Sequence, residues 1–343
     1  MSTTSLGPEA GAIVAYYSAL ERYWHPVVTI ESVAGQPIGV ELLGRPLVLV
    51  RLEGVLSCFE DLCRHLGTAL SIGEIVNDGC HLRCAYHGWT YDKTGRVVDI
   101  PARRDLPIPR EARVRTYHVR EAYGLAWICL AEHPATEIPR FPEYGDERFH
   151  KTPLRAYPPW RASAPRVVMG ALDDTHFPWV HEGVLGDRSH PEPPDHKVFR
   201  EGDELVSTYT MLQPANASIS GQEADGELEP VTYTNYVTPT TIRLVKEGRA
   251  GTYVIWHTAA PLAYDKTAVF LHMARDFDLD PEHDQGYLEF EDVIQSQDRP
   301  VVESQRPWLL PPLSSRLLLY IRPADLPLIA FQKWLEELGI PQI

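Results

Sequence analysis

The sequence predicts an α+β protein of two domains, because its two halves carry different patterns. At 343 residues the chain has room for about two domains of roughly 150 residues each. Short β-branched runs broken by Gly and Pro fill residues 27–130, which is typical of a small all-β domain. In the second half, helix patterns flank a run of strand patterns. We therefore predict a helical segment at 1–22, an all-β domain at 23–135, a proline-rich linker at 136–160 and a second domain at 161–343.

The first predicted element is a helix over Glu9–Arg22, where apolar residues recur at helical spacing. The all-β domain follows. Its clearest strand patterns are Ile38–Leu43, Pro46–Leu52, Gly95–Asp99, Val114–Glu121 and Leu125–Leu130.

Composition limits the classes of partner and compartment. The net charge of −15 argues against nucleic acid or an anionic membrane as a partner. An odd count of five cysteines and the lack of a signal-peptide pattern favour a reducing, cytoplasmic environment. No apolar run approaches about 18 residues, so we expect no transmembrane helix.

Two short motifs in the all-β domain each place a Cys and a His before a Gly. They read Cys63-Arg-His65-Leu-Gly67 and Cys84-Ala-Tyr-His87-Gly88-Trp89. A [2Fe–2S] cluster of the Rieske type requires this mixture, because two thiolates bind one iron and two imidazoles bind the other. Each Gly allows the backbone to turn tightly behind the His. Lying in loops at one end of a sheet, the two motifs would leave both imidazoles near the surface.

Two other interpretations of these motifs stay open. Zinc also binds two Cys and two His, but zinc fingers pair Cys with Cys and His with His along the chain. Plain burial of the cysteines leaves the repeated Cys-His-Gly order unexplained. The mixed order favours the iron–sulfur cluster over both.

A second constellation lies at Asp173-Asp-Thr-His176-Phe-Pro178-Trp-Val-His181. If this segment is helical, Asp173 and His176 share one face. A regular helix would turn His176 and His181 far apart. Pro178 removes one backbone donor, so a local widening or break could bring the two imidazoles together. A helical His pair taken alone is a weak sign of a metal site.

Two His and one carboxylate form the facial triad of non-haem iron oxygenases. Residues 285–306 carry a helical pattern, and Asp298 falls inside its apolar stripe. A carboxylate on a buried face is costly unless it is paired or bound to metal, so Asp298 is the predicted third ligand. Glu291, near the edge of the stripe, is a weaker candidate. The alternative is a helix kinked at Pro300 that leaves Asp298 partly exposed.

Strand patterns between these motifs predict an antiparallel sheet whose iron-facing side lines a substrate pocket. They lie at Thr208–Leu212, Val231–Val237, Thr241–Glu247, Thr252–Ala259 and Ala268–Arg275. Residues 184–200 predict a loop over the entrance, with His190 and His196 exposed. An amphipathic helix is predicted at Pro327–Leu338.

From about Tyr23 to Leu338, the motifs resemble the α subunit of Rieske non-haem iron aromatic ring-hydroxylating oxygenases. The chain departs from the family's usual form at Arg64, Leu66 and Ala85, none of which occupies a ligand position. Respiratory Rieske proteins carry an extra disulfide, which Thr68 and Tyr86 cannot form here.

The resemblance implies a Rieske domain followed by a helix-grip catalytic domain. It assigns Cys63, His65, Cys84 and His87 to the cluster, and His176, His181 and Asp298 to a mononuclear Fe(II). It also implies that Asp173 bridges His176 to the Rieske His87 of a neighbouring subunit.

The implied function is that of a terminal oxygenase with O₂ as cosubstrate. Electrons would come from NAD(P)H through a separate reductase, with or without a ferredoxin, because the chain lacks a dinucleotide fingerprint and a plant-type ferredoxin Cys run. The substrate would be a small aromatic or heterocyclic compound, hydroxylated or oxidatively demethylated; ring cis-dihydroxylation is the alternative. The family's arrangement implies a homotrimer. A rival of another class is a Rieske electron-transfer protein without oxygenase activity.

Overall fold

The computed structural model describes residues 10–214 and 228–341. These residues divide into two units. One is Leu20–Ile138, and the other joins residues 10–19 to residues 139–341. No helix in the described ranges combines the length and the apolar character that crossing a membrane requires.

The N-terminal helix, α1, spans Ala10–Leu20, which confirms the predicted helix to within two residues at its C-terminal end. Glu9 and the rest of residues 1–9, like residues 342–343, lie outside the described part. Helix α1 belongs to the larger unit, because the Tyr17 hydroxyl accepts a hydrogen bond from the Tyr264 amide at 3.0 Å.

The unit Leu20–Ile138 is built from two antiparallel sheets. Its strands are β1 His25–Thr29, β2 Ile38–Leu42, β3 Arg45–Leu52, β4 Val55–Glu60, β5 Glu74–Val76, β6 His81–Arg83, β7 Thr90–Tyr91, β8 Val97–Asp99, β9 Thr116–Ala122 and β10 Leu125–Cys129. The order is β1-β10-β9-β4-β3-β2 in the larger sheet and β5-β6-β7-β8 in the smaller one. Short 3₁₀ turns lie at Ile30–Val33, Leu70–Ile72 and Pro101–Arg103. The five predicted strands are confirmed with ends shifted by one or two residues.

The two sheets of this unit share one apolar core. Val48 and Val50 of β3 and Leu82 and Tyr91 of the smaller sheet are fully buried in it. Burying one such side chain stabilises the fold by roughly 1.5–3 kcal/mol. The first Cys/His motif follows β4, and the second connects β6 to β7. Both motifs therefore start from strands fixed in this core.

The larger unit contains an antiparallel sheet and most of the helices. Its strands are β11 His150–Lys151, β12 Arg155–Trp160, β13 Lys197–Glu201, β14 Glu204–Pro214, β15 Leu228–Thr238, β16 Thr241–Gly248, β17 Gly251–Ala263 and β18 Lys266–Arg275. Its helices are α2 Pro142–Gly145, α3 Ala164–Leu172, α4 Phe177–Val180, α5 Asp284–Ser304 and α6 Leu326–Glu337, with 3₁₀ turns at Pro281–His283 and Leu313–Ser315. The described strands run β11-β18-β17-β16-β15-β14-β13, and β12 also pairs with β18.

Part of the predicted linker contributes to this sheet. His150–Lys151 and Arg155–Trp160 pair with β18. The prolines in Tyr157-Pro-Pro-Trp160 coincide with a shift in register between Tyr157 and Trp160. Proline cannot donate to the ladder, so within sheets it is confined to edge strands and irregular positions such as this one. The Pro-rich composition therefore predicted a linker where the structure has a strand.

Sheet alternation decides which side chains face the helices. Leu244 pairs with Ile255, and Lys246 pairs with Tyr253, across β16 and β17. Successive residues of a strand point to opposite faces, so these four share one face. Helix α5 covers that face with buried residues Leu288, Glu291 and Ile294 and continues through Pro300 to Ser304. The predicted helix at 285–306 is therefore confirmed.

Candidate metal centres and the adjoining cavity

The two Cys/His motifs have the same backbone conformation. The amide of the Gly donates to the carbonyl of the Cys four residues earlier, at 2.9 Å for Gly67 and 3.1 Å for Gly88. The amide of the Cys donates to the carbonyl five residues later, at 2.7 Å for Cys63 and 2.9 Å for Cys84. Both glycines lie in the left-handed region, with φ of 76° and 72°, where a side chain would be strained.

These turns bury the sulfur atoms and expose the imidazoles. Cys63 and Cys84 are each 3% exposed, and their thiols lie close together. His65 and His87 are exposed, and their Nδ1 atoms are 3.1 Å apart. The Tyr91 hydroxyl accepts from the Arg64 amide at 3.0 Å, so its hydrogen is free to be donated to Cys63 Sγ at 3.1 Å.

This donor set fits a cluster of the Rieske type. Two nitrogen atoms that each lie about 2 Å from one metal ion are roughly 3 Å apart, which is the spacing of the two Nδ1 atoms. Burial raises the pKa of the Cys63 thiol, so a thiolate there needs a cation beside it. Two thiols inside and two imidazoles at the surface match the division of ligands between the two irons.

In the larger unit, His176 and His181 flank the single turn of α4. Helix α3 ends at Leu172, and Asp173 is extended, with φ −76° and ψ 132°. The expectation that Asp173 and His176 share a helical face is therefore wrong. The expected break that brings the imidazoles together does occur. Pro178 lies in the first turn of α4, where its missing N–H costs nothing.

A turn, instead of a helix, joins Asp173 to His176. Asp173 Oδ1 accepts from the amide of Thr175 at 2.9 Å and from its hydroxyl at 2.6 Å. This side chain-to-backbone bonding competes with helix formation. Asp173 Oδ2 then accepts from His176 Nδ1 at 3.2 Å.

Three donor atoms meet beside α4. His176 Nε2 and His181 Nε2 are 3.1 Å apart, and Asp298 Oδ1 lies 3.4 Å and 3.0 Å from them. The three residues form a potential metal-binding group with ligand atoms within 4.8 Å of one another. Glu291, the weaker candidate, instead accepts from the Tyr253 hydroxyl at 3.2 Å.

Hydrogen bonds at Nδ1 orient both imidazoles. His176 Nδ1 donates to Asp173, and His181 Nδ1 donates to Gln297 Oε1 at 2.7 Å. A proton held at Nδ1 leaves the Nε2 lone pair free for a metal ion. The two lone pairs and the Asp298 carboxylate are then directed at one point, so the residues fit a mononuclear metal ion.

Charge coupling in this group is strong. Burial alone would raise the pKa of Asp298, but hydrogen bonds from His176 and His181 outweigh it and lower that pKa to about 2. Burial lowers the pKa of His176, but Asp173 and Asp298 outweigh it and raise that pKa to about 9. The carboxylates therefore favour a positive charge at this point, which a metal cation would supply.

A cavity adjoins the three donors. Its floor is the sheet face predicted to line a pocket. Its lining residues are Gly170, Ala171, His176, Phe177, His181, Leu185, Tyr233, Leu244, Lys246, Ile255, His257, Phe290, Glu291, Ile294, Gln295 and Asp298. Its mainly apolar walls with a few polar groups are typical of a small-molecule site.

Leu185 of the predicted entrance loop reaches this cavity. Its carbonyl accepts from Gln213 Nε2 at 3.0 Å. His190 is exposed as expected, but the expectation for His196 is wrong. The His196 side chain is fully buried, with Nε2 3.1 Å from Asp174 Oδ1, a contact that sequence spacing does not reveal.

Sequence reasoning also missed four polar residues of this region: Gln297, Lys246, His257 and Gln295. Two of them could have been found from the sequence. Gln295 has helical spacing from Asp298, and His257 alternates with Ile255 along a strand, so both were expected on the same faces as those residues. Gln297 precedes Asp298 directly, and no pattern distinguishes it.

Comparisons with known proteins agree with this geometry. Residues 23–117 match the Rieske [2Fe-2S] domain, and residues 160–339 match the vanillate O-demethylase oxygenase C-terminal domain. Methylxanthine N1-demethylase NdmA of Pseudomonas putida is 31% identical over 328 residues, which is 93% of this chain and 89% of that protein. Methylxanthine N3-demethylase NdmB of the same organism is 29% identical over 94% of this chain and 91% of its own length.

The solved structure of P. putida NdmA with caffeine has a TM-score of 0.82 at 29% identity, covering 95% of this chain and 92% of that one. The likeness spans both units, which sets aside the zinc-binding interpretation of the Cys/His motifs and the Rieske electron-transfer protein without oxygenase activity. The chain belongs to the Rieske non-haem iron oxygenases, as the terminal oxygenase component that contains a [2Fe–2S] cluster and a mononuclear iron.

Proposed function

We propose that this oxygenase uses His176, His181 and Asp298 to hold the mononuclear Fe(II), and Cys63, His65, Cys84 and His87 to hold the cluster. The observation that carries this proposal is the meeting of three donor atoms within 4.8 Å at the wall of an apolar cavity. A substrate in the cavity would lie next to the metal.

When bound, the cluster would carry single electrons, and the mononuclear iron would supply the activation of O₂. The chain's residues prepare the site for this chemistry. Asp173 and Gln297 hold the protons of the two imidazoles at Nδ1. Phe177, Phe290 and Ile294 form apolar walls of the cavity, which would limit the access of water to the reacting face.

The reaction we propose is hydroxylation or oxidative demethylation of a small aromatic or heterocyclic compound. The names of two relatives, methylxanthine N1- and N3-demethylase, support N-methylated heterocycles as the first candidates to test. Ring cis-dihydroxylation remains an outcome that the experiment below would detect.

Electrons would reach the cluster from NAD(P)H through a separate reductase, with or without a ferredoxin. We also propose a homotrimer in which Asp173 bridges His176 to His87 of the partner subunit. The Asp173 side chain is 22% exposed while it bonds His176, and His87 is exposed, so both groups are accessible. A cytoplasmic location stays a prediction, which rests on the odd count of five cysteines.

A single-turnover experiment tests the oxygenase reaction without its natural donor. Protein loaded with iron and chemically reduced under anaerobic conditions is mixed with ¹⁸O₂ and an N-methylated heterocycle, and products are analysed by mass spectrometry. One ¹⁸O atom per product, or formaldehyde with the demethylated ring, supports the proposal. A diol carrying two ¹⁸O atoms would establish dihydroxylation instead. The absence of any oxygenated product across aromatic and heterocyclic candidates, from fully loaded protein, would contradict the proposal.

A further inference from the structure

A surface groove lined by arginines adjoins the first Cys/His motif. Its walls include Arg64, Arg113 and Arg115, with Glu60 and Glu111 beside them, and we call it the arginine groove. All five residues belong to the unit that contains the Cys/His motifs. None of them is a metal ligand in the proposed function, so the groove has no role in the chemistry described above.

The groove reaches the loop that carries two of the proposed cluster ligands. Arg64 lies between Cys63 and His65 in the chain. Its amide donates to the Tyr91 hydroxyl at 3.0 Å, and that hydroxyl lies 3.1 Å from Cys63 Sγ. A molecule that rests against Arg64 would therefore touch the loop that holds the cluster.

The wall that carries the other two arginines is fixed by the core. Arg113 and Arg115 are exposed, whereas Ala112 and Val114, which alternate with them, are buried. This alternation, together with an antiparallel bridge at Arg113, is that of an extended chain, so the two arginines project to the same side. Val114 packs in the same core as Cys63, which holds this wall in place beside the cluster loop.

The region around the groove is basic, although the protein is acidic overall. The chain has a net charge of −15, yet residues 96–115 contain six arginines and only three acidic residues. Two of those acidic residues, Asp99 and Asp105, are paired with Arg104 and Arg103. The other arginines of this stretch therefore outnumber its one remaining acidic residue.

The charges of the groove arginines are available to a partner. Arg113 donates to the Thr94 carbonyl at 3.5 Å, and the guanidinium of Arg115 lies over the Tyr117 ring. Within the residues that the structure describes, none of the three arginines forms an ion pair, although two glutamates share the groove. Exposed charge of this kind steers a protein of opposite charge to its docking position.

The groove continues beyond Arg115, which favours a protein over a small ion as its occupant. An adjoining depression shares Arg115 and Thr116 with it and extends to His118 and Glu132. The planar guanidinium of each arginine can pair with one carboxylate through two parallel hydrogen bonds. Arginines spread along a groove therefore match a protein surface that carries several carboxylates.

We propose that the arginine groove is the docking surface for an acidic electron-donor protein. The inference rests on the proposed function, because it takes Cys63 and His65 as cluster ligands. Carboxylates of the donor pair with Arg64, Arg113 and Arg115. One electron then leaves the reduced donor, which is oxidised, and enters the cluster, which is reduced, and no bond forms or breaks. The acidic remainder of the chain repels such a donor, so the groove directs it to the cluster.

Two carriers of opposite charge test the docking surface. The probe is an acidic plant-type [2Fe–2S] ferredoxin, whose reduction potential lies below that of Rieske clusters, and basic cytochrome c is the comparison. Calorimetry measures the affinity of the oxidised proteins, and stopped-flow absorbance measures the rate at which reduced ferredoxin reduces the cluster. We expect ferredoxin to bind more tightly than cytochrome c. Its affinity should fall at about 1 M salt, where the Debye length is about 3 Å.

Charge variants test the assigned residues. Arg113→Glu and Arg115→Glu should each slow ferredoxin association about tenfold at low salt, whereas Glu111→Lys should accelerate it. Arg113→Lys should retain most of the rate, because steering depends on charge. Lys333→Glu is the matched control, because Lys333 is exposed on α6 of the larger unit and the substitution changes the net charge equally. The visible spectrum shows whether each variant is folded and contains the cluster.

Three results would overturn the inference: ferredoxin affinity that does not change with salt, equal rates in Arg113→Glu and Lys333→Glu, or tighter binding of cytochrome c than of ferredoxin. If any of these occurs in protein that oxygenates a substrate, the inference fails and the proposed function stands. If arginine-dependent docking appears in iron-loaded protein that oxygenates nothing, the docking surface is supported and the proposed function fails.

Discussion

The two metal-binding regions of this chain are assembled in different ways. The cluster motifs are local, because each places its Cys and His through one tight turn closed by hydrogen bonds from Cys63, Gly67, Cys84 and Gly88. The proposed triad joins His176 and His181 to Asp298, more than a hundred residues later, and depends on contacts between the α4 and α5 regions. A local motif can be predicted from adjacent residues, whereas an assembled site depends on the whole fold of its unit.

The largest expected effect comes from removing one ligand at each site. His176→Ala should lose the mononuclear iron and turnover while the cluster spectrum is retained, because the cluster ligands lie in a separate unit. Cys84→Ser should lose the cluster spectrum while the triad still binds iron. Iron analysis, the visible spectrum and turnover check both variants. Normal turnover in His176→Ala would refute the assigned triad, and loss of both metals in either variant would contradict the independence of the two regions.

A smaller loss of iron is expected from changing Gln297, which bonds the His181 imidazole. Gln297→Leu removes the acceptor that holds His181 Nδ1. Loss of such a partner typically weakens metal affinity 10–100-fold, so we expect iron to dissociate at lower chelator concentration while the cluster is unaffected. A chelator titration measures this, with Ser296→Ala as the control. Equal iron retention in Gln297→Leu and the control would show that this hydrogen bond does not position His181.

The smallest effects concern two glycines, one in each region. A Cβ at Gly186 would lie 2.6 Å from the Pro178 nitrogen, so Gly186→Ala should displace α4, costing about 1–3 kcal/mol and some iron. A Cβ at Gly67 meets only Leu62 Cδ1, at 3.4 Å, so Gly67→Ala should cost only the left-handed backbone strain of about 1–2 kcal/mol. Denaturation followed separately by cluster absorbance and by iron release checks both. Iron loss in Gly67→Ala that exceeds that in Gly186→Ala would reverse the comparison.

The contrast explains what the sequence could predict. The Cys, His and Gly spacing encodes its own turn, so the four proposed cluster ligands come together as expected. Asp298 could be predicted as a ligand from the sequence because an acidic residue in an apolar stripe is unusual. The i, i+3 spacing of Asp173 and His176 suggested a shared helical face. That prediction was wrong because Asp173 forms an Asx turn with Thr175, which competes with the helix.

Residues that depend on a distant partner could not be predicted in the same way. His196 is buried because Asp174 lies beside it, and Gln297 matters because it faces His181. The structure was needed to show that Gln295 and His257 line the cavity, with Oε1 and Nε2 buried and without a hydrogen-bond partner among the described residues. The strand patterns predicted that one face of the sheet lines a pocket, but they did not reveal which polar groups on that face lack a partner.

The central claim is that this one chain holds both a cluster and a mononuclear iron. Iron, acid-labile sulfide and zinc per chain, measured on anaerobically purified protein, test it most directly. The account predicts about three irons and two sulfides per chain, from the cluster and the triad together. About two irons with two sulfides, unchanged after anaerobic incubation with Fe(II), would contradict the triad. Zinc without sulfide would contradict the cluster.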